Sequence, residues 1–132
     1  MTYYLDASVV LGAVLDQDLA TKRWFESVVG QADLFSSVLL QVEVARTLRR
    51  ESRPLDLADQ LLATIMPARV SPPIIGLAKA IEPHVKALDA IHLATLMHID
   101  HAATMVTSDA QLMTAAKRLG IGCLDPSGPG GA

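Results

Sequence analysis

Four acidic residues carry most of what this chain could do chemically: Asp6 in "YLDAS", Glu43 in "LLQVEVARTL", Asp89 in "ALDAIHLAT" and Asp109 in "VTSDAQL". Taken singly, three of them have a plain explanation. Asp6, Asp89 and Asp109 each precede an apolar run of helical spacing, where a short acidic side chain accepts a backbone N–H left unpaired at the helix start. Glu43 is different, because Val42, Val44 and Ala45 place it inside a helix. At helical spacing it either pairs with Arg46 or Arg50, or turns toward something that wants a carboxylate.

Taken together, the four could form a cluster. Carboxylates gathered within a few ångströms raise one another's pKa and oppose folding, so the cluster makes sense only with a hard cation to neutralise it. Mg²⁺ and Mn²⁺ prefer oxygen ligands, and Mg²⁺ keeps several waters and completes its shell with substrate phosphate. The chemistry implied is phosphoryl transfer to water. One or two ions would polarise the scissile phosphate and activate the attacking water, about 3.5–4 Å apart where two are present.

Positioning such a cluster falls to an alternation of strands and helices. Strand-like runs occupy residues 1–5, 32–37, 67–71, 103–108 and 121–124. Helical patterns fill 7–15, 18–30, 38–53, 55–65, 71–81, 89–100 and 109–120, with Gly30 closing the second and Pro54 stopping the third. Ser71 and the two prolines after it read as a cap and first turn. This order predicts one α/β domain over residues 1–125: a mostly parallel central sheet of four or five strands, covered by helices on both faces. The tail, 126–132, has no apolar residue to order it and is expected to be disordered. Ligands of such sheets bind beyond the carboxyl ends of the strands. Asp6 and Asp109 both follow strands in that way.

Composition bounds the rest. The chain has 132 residues, 51% hydrophobic but only 4% aromatic, enough for a core without metal or disulfide staples. Cys123 is its one cysteine, so no intrachain disulfide forms. No apolar run approaches the ~18 residues of a membrane span, and "MTYYLDASVV" lacks the marks of a signal peptide, so cytoplasmic residence is the expectation. The net charge of −3 argues against nucleic-acid binding through general basic character. Charge can still be segregated: Arg46, Arg49, Arg50 and Arg53 form a basic patch on the helix of Glu43, either a solvated face or a phosphate contact. His92, one turn after Asp89 in an apolar helix, reads as structural, and Trp24 and Phe25 as core or interface anchors.

In order and approximate spacing, the four acidic segments resemble the motifs of a PIN domain, most of all those of VapC-type toxin ribonucleases. The resemblance covers residues 1 to about 125. It implies a metal-dependent endoribonuclease, the toxin of a type II toxin–antitoxin pair, that cuts structured RNA such as tRNA or rRNA. It also implies that Asp6, Glu43, Asp89 and Asp109 hold Mg²⁺ or Mn²⁺, Asp6 and Asp89 most directly. Ser8 and Thr107 match accessory polar positions whose hydroxyls could orient a carboxylate or bond locally to backbone. The implied partners are an RNA substrate, a VapB-like antitoxin and a second copy of the chain. Residues 38–48 and 56–65 are expected to offer the antitoxin a groove. Two positions depart from the pattern: Lys86 stands where many relatives have Arg, and Leu112 where an aromatic is common. An alternative reading is a catalytically silent PIN-like interaction module. A Mg²⁺-binding receiver-like signalling domain is disfavoured, since "PARVSPP" carries no acid and "IGCLDPS" no lysine.

Overall fold

The computed structural model describes residues 1–128, in which five strands and seven α-helices alternate. The strands are β1 (Thr2–Leu5), β2 (Asp33–Ser37), β3 (Met66–Ala68), β4 (Thr104–Val106) and β5 (Cys123–Leu124). They form one sheet in the order β3-β2-β1-β4-β5, with every pairing parallel. The helices are α1 (Ala7–Val14), α2 (Leu19–Val28), α3 (Leu39–Arg50), α4 (Asp59–Leu62), α5 (Pro72–Ala80), α6 (Ala87–Asp100) and α7 (Ala110–Arg118). A single 3-10 turn, Leu55–Ala58, precedes α4.

Alternation along the strands makes two cores. Tyr3, Leu5, Leu34 and Val106 point to one face, where Val10, Phe25, Val44 and Leu48 of α1, α2 and α3 cover them. Tyr4, Phe35 and Met105 point to the other, against Leu93 and Leu96 of α6 and Leu112 and Ala116 of α7. Burial on both faces explains why β1 reads as a continuous apolar run rather than an alternating one. Each fully buried Leu or Val contributes about 1.5–3 kcal/mol.

The two-sided cover positions the site. β1 leads to α1 on one face and its neighbour β4 leads to α7 on the other, so a crevice opens at their carboxyl ends. The Asp6 N–H donates to Val106 O at 3.0 Å and pins the two strand ends together.

Several boundaries depart from expectation. α6 begins at Ala87, two residues before Asp89, with Lys86 in extended backbone at the cap position. The third strand is 66–68 rather than 67–71, on a sheet edge where Pro67 costs no ladder bond. α3 ends before Pro54 can act: Ser52 turns left-handed at φ +55°, and Arg53 N–H reaches back to Leu48 O at 2.8 Å. Gly30 closes α2 with φ +77°, as its missing Cβ allows. Ser71 holds the cap position of α5 without a side-chain bond. Of the expected disordered tail, residues 126–128 form a turn tied to Asp125, whose Oδ1 accepts from Ser127 N and Oγ. Residues 129–132 lie outside the described ones. No helix among the described residues is long and apolar enough to cross a membrane.

Candidate functional site

Asp6 sits at the cap position of α1, yet its carboxylate caps nothing. Instead Oδ2 accepts two hydroxyls, Ser8 Oγ at 2.8 Å and Thr107 Oγ1 at 2.8 Å. Those hydroxyls are held in turn by backbone donors of the β4–α7 turn: Ser108 N–H to Ser8 Oγ at 3.1 Å, and Asp109 N–H to Thr107 Oγ1 at 3.0 Å. A bracket of two hydroxyls thus joins the end of β1 to the end of β4. Asp6 is only 7% exposed and Thr107 is fully buried.

Of the three aspartates expected as caps, only Asp109 is one. Its Oδ1 accepts from Gln111 N at 2.9 Å and Leu112 N at 3.3 Å at the head of α7. Asp89 stands third in α6, with Lys86 at the cap position, and among the described residues no hydrogen bond reaches its side chain. Burial and then the charges of Asp6 and Asp109 push its carboxyl above the usual range. That mutual repulsion marks the three aspartates as one neighbourhood.

Glu43 approaches from the opposite helical layer and meets neither arginine expected at helical spacing. Its Oε1 lies 2.6 Å from Nε2 of His92. The imidazole is fully buried, and Nδ1 lies 2.5 Å from Tyr4 Oη, which also accepts Ser37 N–H at 3.1 Å. Burial works against a charged imidazole, but its hydrogen bond to Glu43 with the charges of Glu43, Asp6 and Asp89 outweighs it and raises His92 above its ordinary value. Burial likewise pushes the Tyr4 phenol well up, so it stays protonated. His92 is buried in the apolar helix, as expected, but its bond to Glu43 and the part of Tyr4 were not foreseen. Partners 49 and 88 residues apart leave no local signal in sequence.

Arg46, Arg49, Arg50 and Arg53 are exposed and, among the described residues, form no ion pair. Arg46, Arg49 and Arg50 lie on the same helix as Glu43, whereas Arg53, expected on it, falls beyond the helix end after the left-handed turn at Ser52; none of the four bonds to the acids among the described residues.

A pattern runs through the carboxylates. Asp6, Glu43 and Asp109 each have one oxygen held by protein donors, while the other has no protein partner among the described residues. Among the described residues none of the four acids pairs with Lys or Arg, and the ion pairs are Lys22–Asp16 and His92–Glu43. As the side chains lie, no three acidic, His or Cys groups among the described residues form a ready coordination set. In kind the donors fit a hard cation: anionic oxygen, with one oxygen each of Asp6, Glu43 and Asp109 left without a protein partner among the described residues. Two clefts involve sequence neighbours of Asp6 and Asp109, though none of the four acids lines either one. One, of about 340 Å³, is lined by Ser8, Gly12, Thr21, Thr47 and Ser108; the other, of about 350 Å³, by His84, Ala110, Gln111, Thr114 and Arg118.

Comparison with known proteins bears on this arrangement. A family model described as "PIN domain" matches residues 3–118. Among solved structures, the fold is similar to a chain of VapBC2 from Rickettsia felis bound to a DNA fragment from their promoter, at TM-score 0.74 and 13% identity, covering 93% of this chain and 97% of that one. It is similar to a chain of a toxin-antitoxin complex from Klebsiella pneumoniae, at TM-score 0.72 and 18% identity, covering 94% and 97%. A chain of FitAB bound to an IR36 DNA fragment aligns at TM-score 0.63 and 17% identity, covering 96% of each. No curated protein sequence matches.

Proposed function

Because the chain belongs to the PIN domain family, whose members are generally nucleases, we propose that it is a Mg²⁺- or Mn²⁺-dependent endoribonuclease and the toxin of a type II toxin–antitoxin pair. The observation that carries this reading is the half-satisfied acidic set: three carboxylates are each fixed by one oxygen, beside Asp89, and no lysine or arginine pairs with them among the described residues. Four helix caps would not look like this.

Asp6, Glu43, Asp89 and Asp109 would hold the ion. A bound divalent cation polarises the scissile phosphate, lowers the pKa of the attacking water and stabilises the leaving oxygen. The chain's own contribution is orientation. Ser8 and Thr107 fix the rotation of Asp6, and the α7 amides fix that of Asp109. Arg46, Arg49, Arg50 and Arg53 supply phosphate attraction for the RNA backbone. Structured cytoplasmic RNA, tRNA or rRNA, is the substrate class in this reading.

An antitoxin is the proposed partner, in keeping with the similarity to chains of toxin-antitoxin complexes. A cleft of about 420 Å³ between α3 and α4, lined by Val44, Ala45, Leu55 and Leu62 among others, supports a groove there. The exposed side chain of Val42 extends the apolar surface of α3. A homodimer completes the proposed assembly.

One experiment tests the reading. Purified protein, a dimer by light scattering, should cut tRNA or rRNA in millimolar Mn²⁺, with Asp89→Asn slower by orders of magnitude. The cognate antitoxin should suppress cleavage and raise the mass. Undiminished cutting in excess chelator would overturn the metal mechanism, and intact RNA in Mn²⁺ would overturn the nuclease.

A further inference from the structure

The two helical layers of the fold meet over the carboxyl edge of the sheet in one polar contact, His92 of α6 with Glu43 of α3. An ionised carboxylate can only accept, so the proton in that contact belongs to Nε2 of the imidazole. The ring is fully buried, while Glu43 keeps 22% of its side chain exposed. Tyr4 holds the far side of the ring through Nδ1 and packs edge-on against it, with centroids 5.7 Å apart. Tyr4 is itself buried, anchored by Ser37 N–H and braced edge-on by Phe35 at 5.1 Å. The donor is therefore rigid and its acceptor is not.

A glutamate has three rotatable side-chain bonds. Left free on α3, this one could swing into solvent or reach Arg46 one turn on, and a carboxylate paired with arginine is lost to an ion. The His92 bond removes both options.

We propose that His92, locked by Tyr4, is a positioning residue that binds Oε1 of Glu43 and leaves Oε2 presented to the acidic pocket. The inference rests on the reading of the acids as an ion-holding site. Its nearest physical parallel is the outer hydrogen bond that orients a metal-binding side chain, whose loss weakens binding about 10–100-fold.

The test uses the full-length protein and two readouts. The first is the imidazole N–H resonance of His92 by NMR, read without metal; the second is Mn²⁺ affinity by calorimetry. Wild type should show a slowly exchanging downfield N–H that moves in Glu43→Gln. His92→Leu should bind Mn²⁺ about 10–100-fold more weakly. His92→Gln, whose amide N–H can stand where Nε2–H stood, should recover most of that loss, and Tyr4→Phe should fall between. A merely structural histidine would instead lower melting temperature with affinity unchanged in every folded variant. Wild-type affinity in folded His92→Leu would overturn the proposal. If that variant fails to fold, wild-type affinity in Tyr4→Phe, together with no downfield resonance, would overturn it. A wild type that shows the resonance but binds no Mn²⁺ would instead sink the ion-holding reading and, with it, any role of His92 in metal binding.

Discussion

Asp89 is the acid with least support from its surroundings. It lacks the hydroxyls that hold Asp6, the amides that hold Asp109 and the imidazole that holds Glu43, and it is half-buried beside two like charges. Its raised pKa fixes a sign. Below the ordinary carboxylate range the side chain is neutral whether the chain is folded or not, and costs nothing. Above the raised folded value it is charged in both states, and the cost to the metal-free fold is complete. In chelator at neutral pH, Asp89→Asn should therefore melt above wild type, and the gap should close as pH falls through the carboxylate range. Added Mn²⁺ should reverse the order, since wild type gains about 2.7 kcal/mol when free ion is a hundredfold above its dissociation constant. Thermal unfolding in chelator and in Mn²⁺ checks both; a variant that melts below wild type in chelator would mean that Asp89 is not crowded.

At the scale of elements, Asp109 does two things that substitution can separate. It caps α7 through Oδ1, and its other oxygen is unpartnered. Asp109→Asn keeps an acceptor at the cap and should stay within a few tenths of a kcal/mol of wild type in chelator, while losing most Mn²⁺-dependent cleavage. Asp109→Ala should lose the activity and a further ~1 kcal/mol of stability. Equal stability of the two would show that the cap carries little. The contrast also marks how far sequence could be read. Type and order of the acids were visible, because each stands at a strand end or in a helix with a recognisable pattern. Which aspartate caps was not visible: that depends on α6 starting at Ala87, and a helix start placed two residues late turns an N3 side chain into an apparent cap. The partner of Glu43 was hidden for a related reason, since helical periodicity leaves the choice between Arg46, Arg50 and something distant to tertiary structure.

Over the whole molecule, the alternating pattern gave a parallel sheet clad on both faces, and that is the structure found. Strand order was beyond it, because nothing local in Thr2–Leu5 says that this strand pairs with residues 33–35 on one side and 104–106 on the other. The order makes the first strand the centre of the sheet. A chain ending at residue 101 would lack β4, β5 and α7, and with them Thr107, Asp109 and the part of the second core that Met105, Leu112 and Ala116 supply. It should unfold without a cooperative transition by circular dichroism and show no heat of Mn²⁺ binding; a cooperative melt would mean that the central strand needs no partner on that side.

The central placement of β1 also sets a schedule. The first acid to be synthesised, Asp6, receives its second hydroxyl from Thr107, so residues near the two ends of the domain must both exist before the crevice can close. A ribosome making this protein carries, for most of elongation, a chain whose helices can begin to form but whose acids are scattered. Local contacts come early and this pairing, with a separation of 101 residues, must come late. If the protein cuts RNA, the translating ribosome is shielded from its own product until synthesis is nearly done.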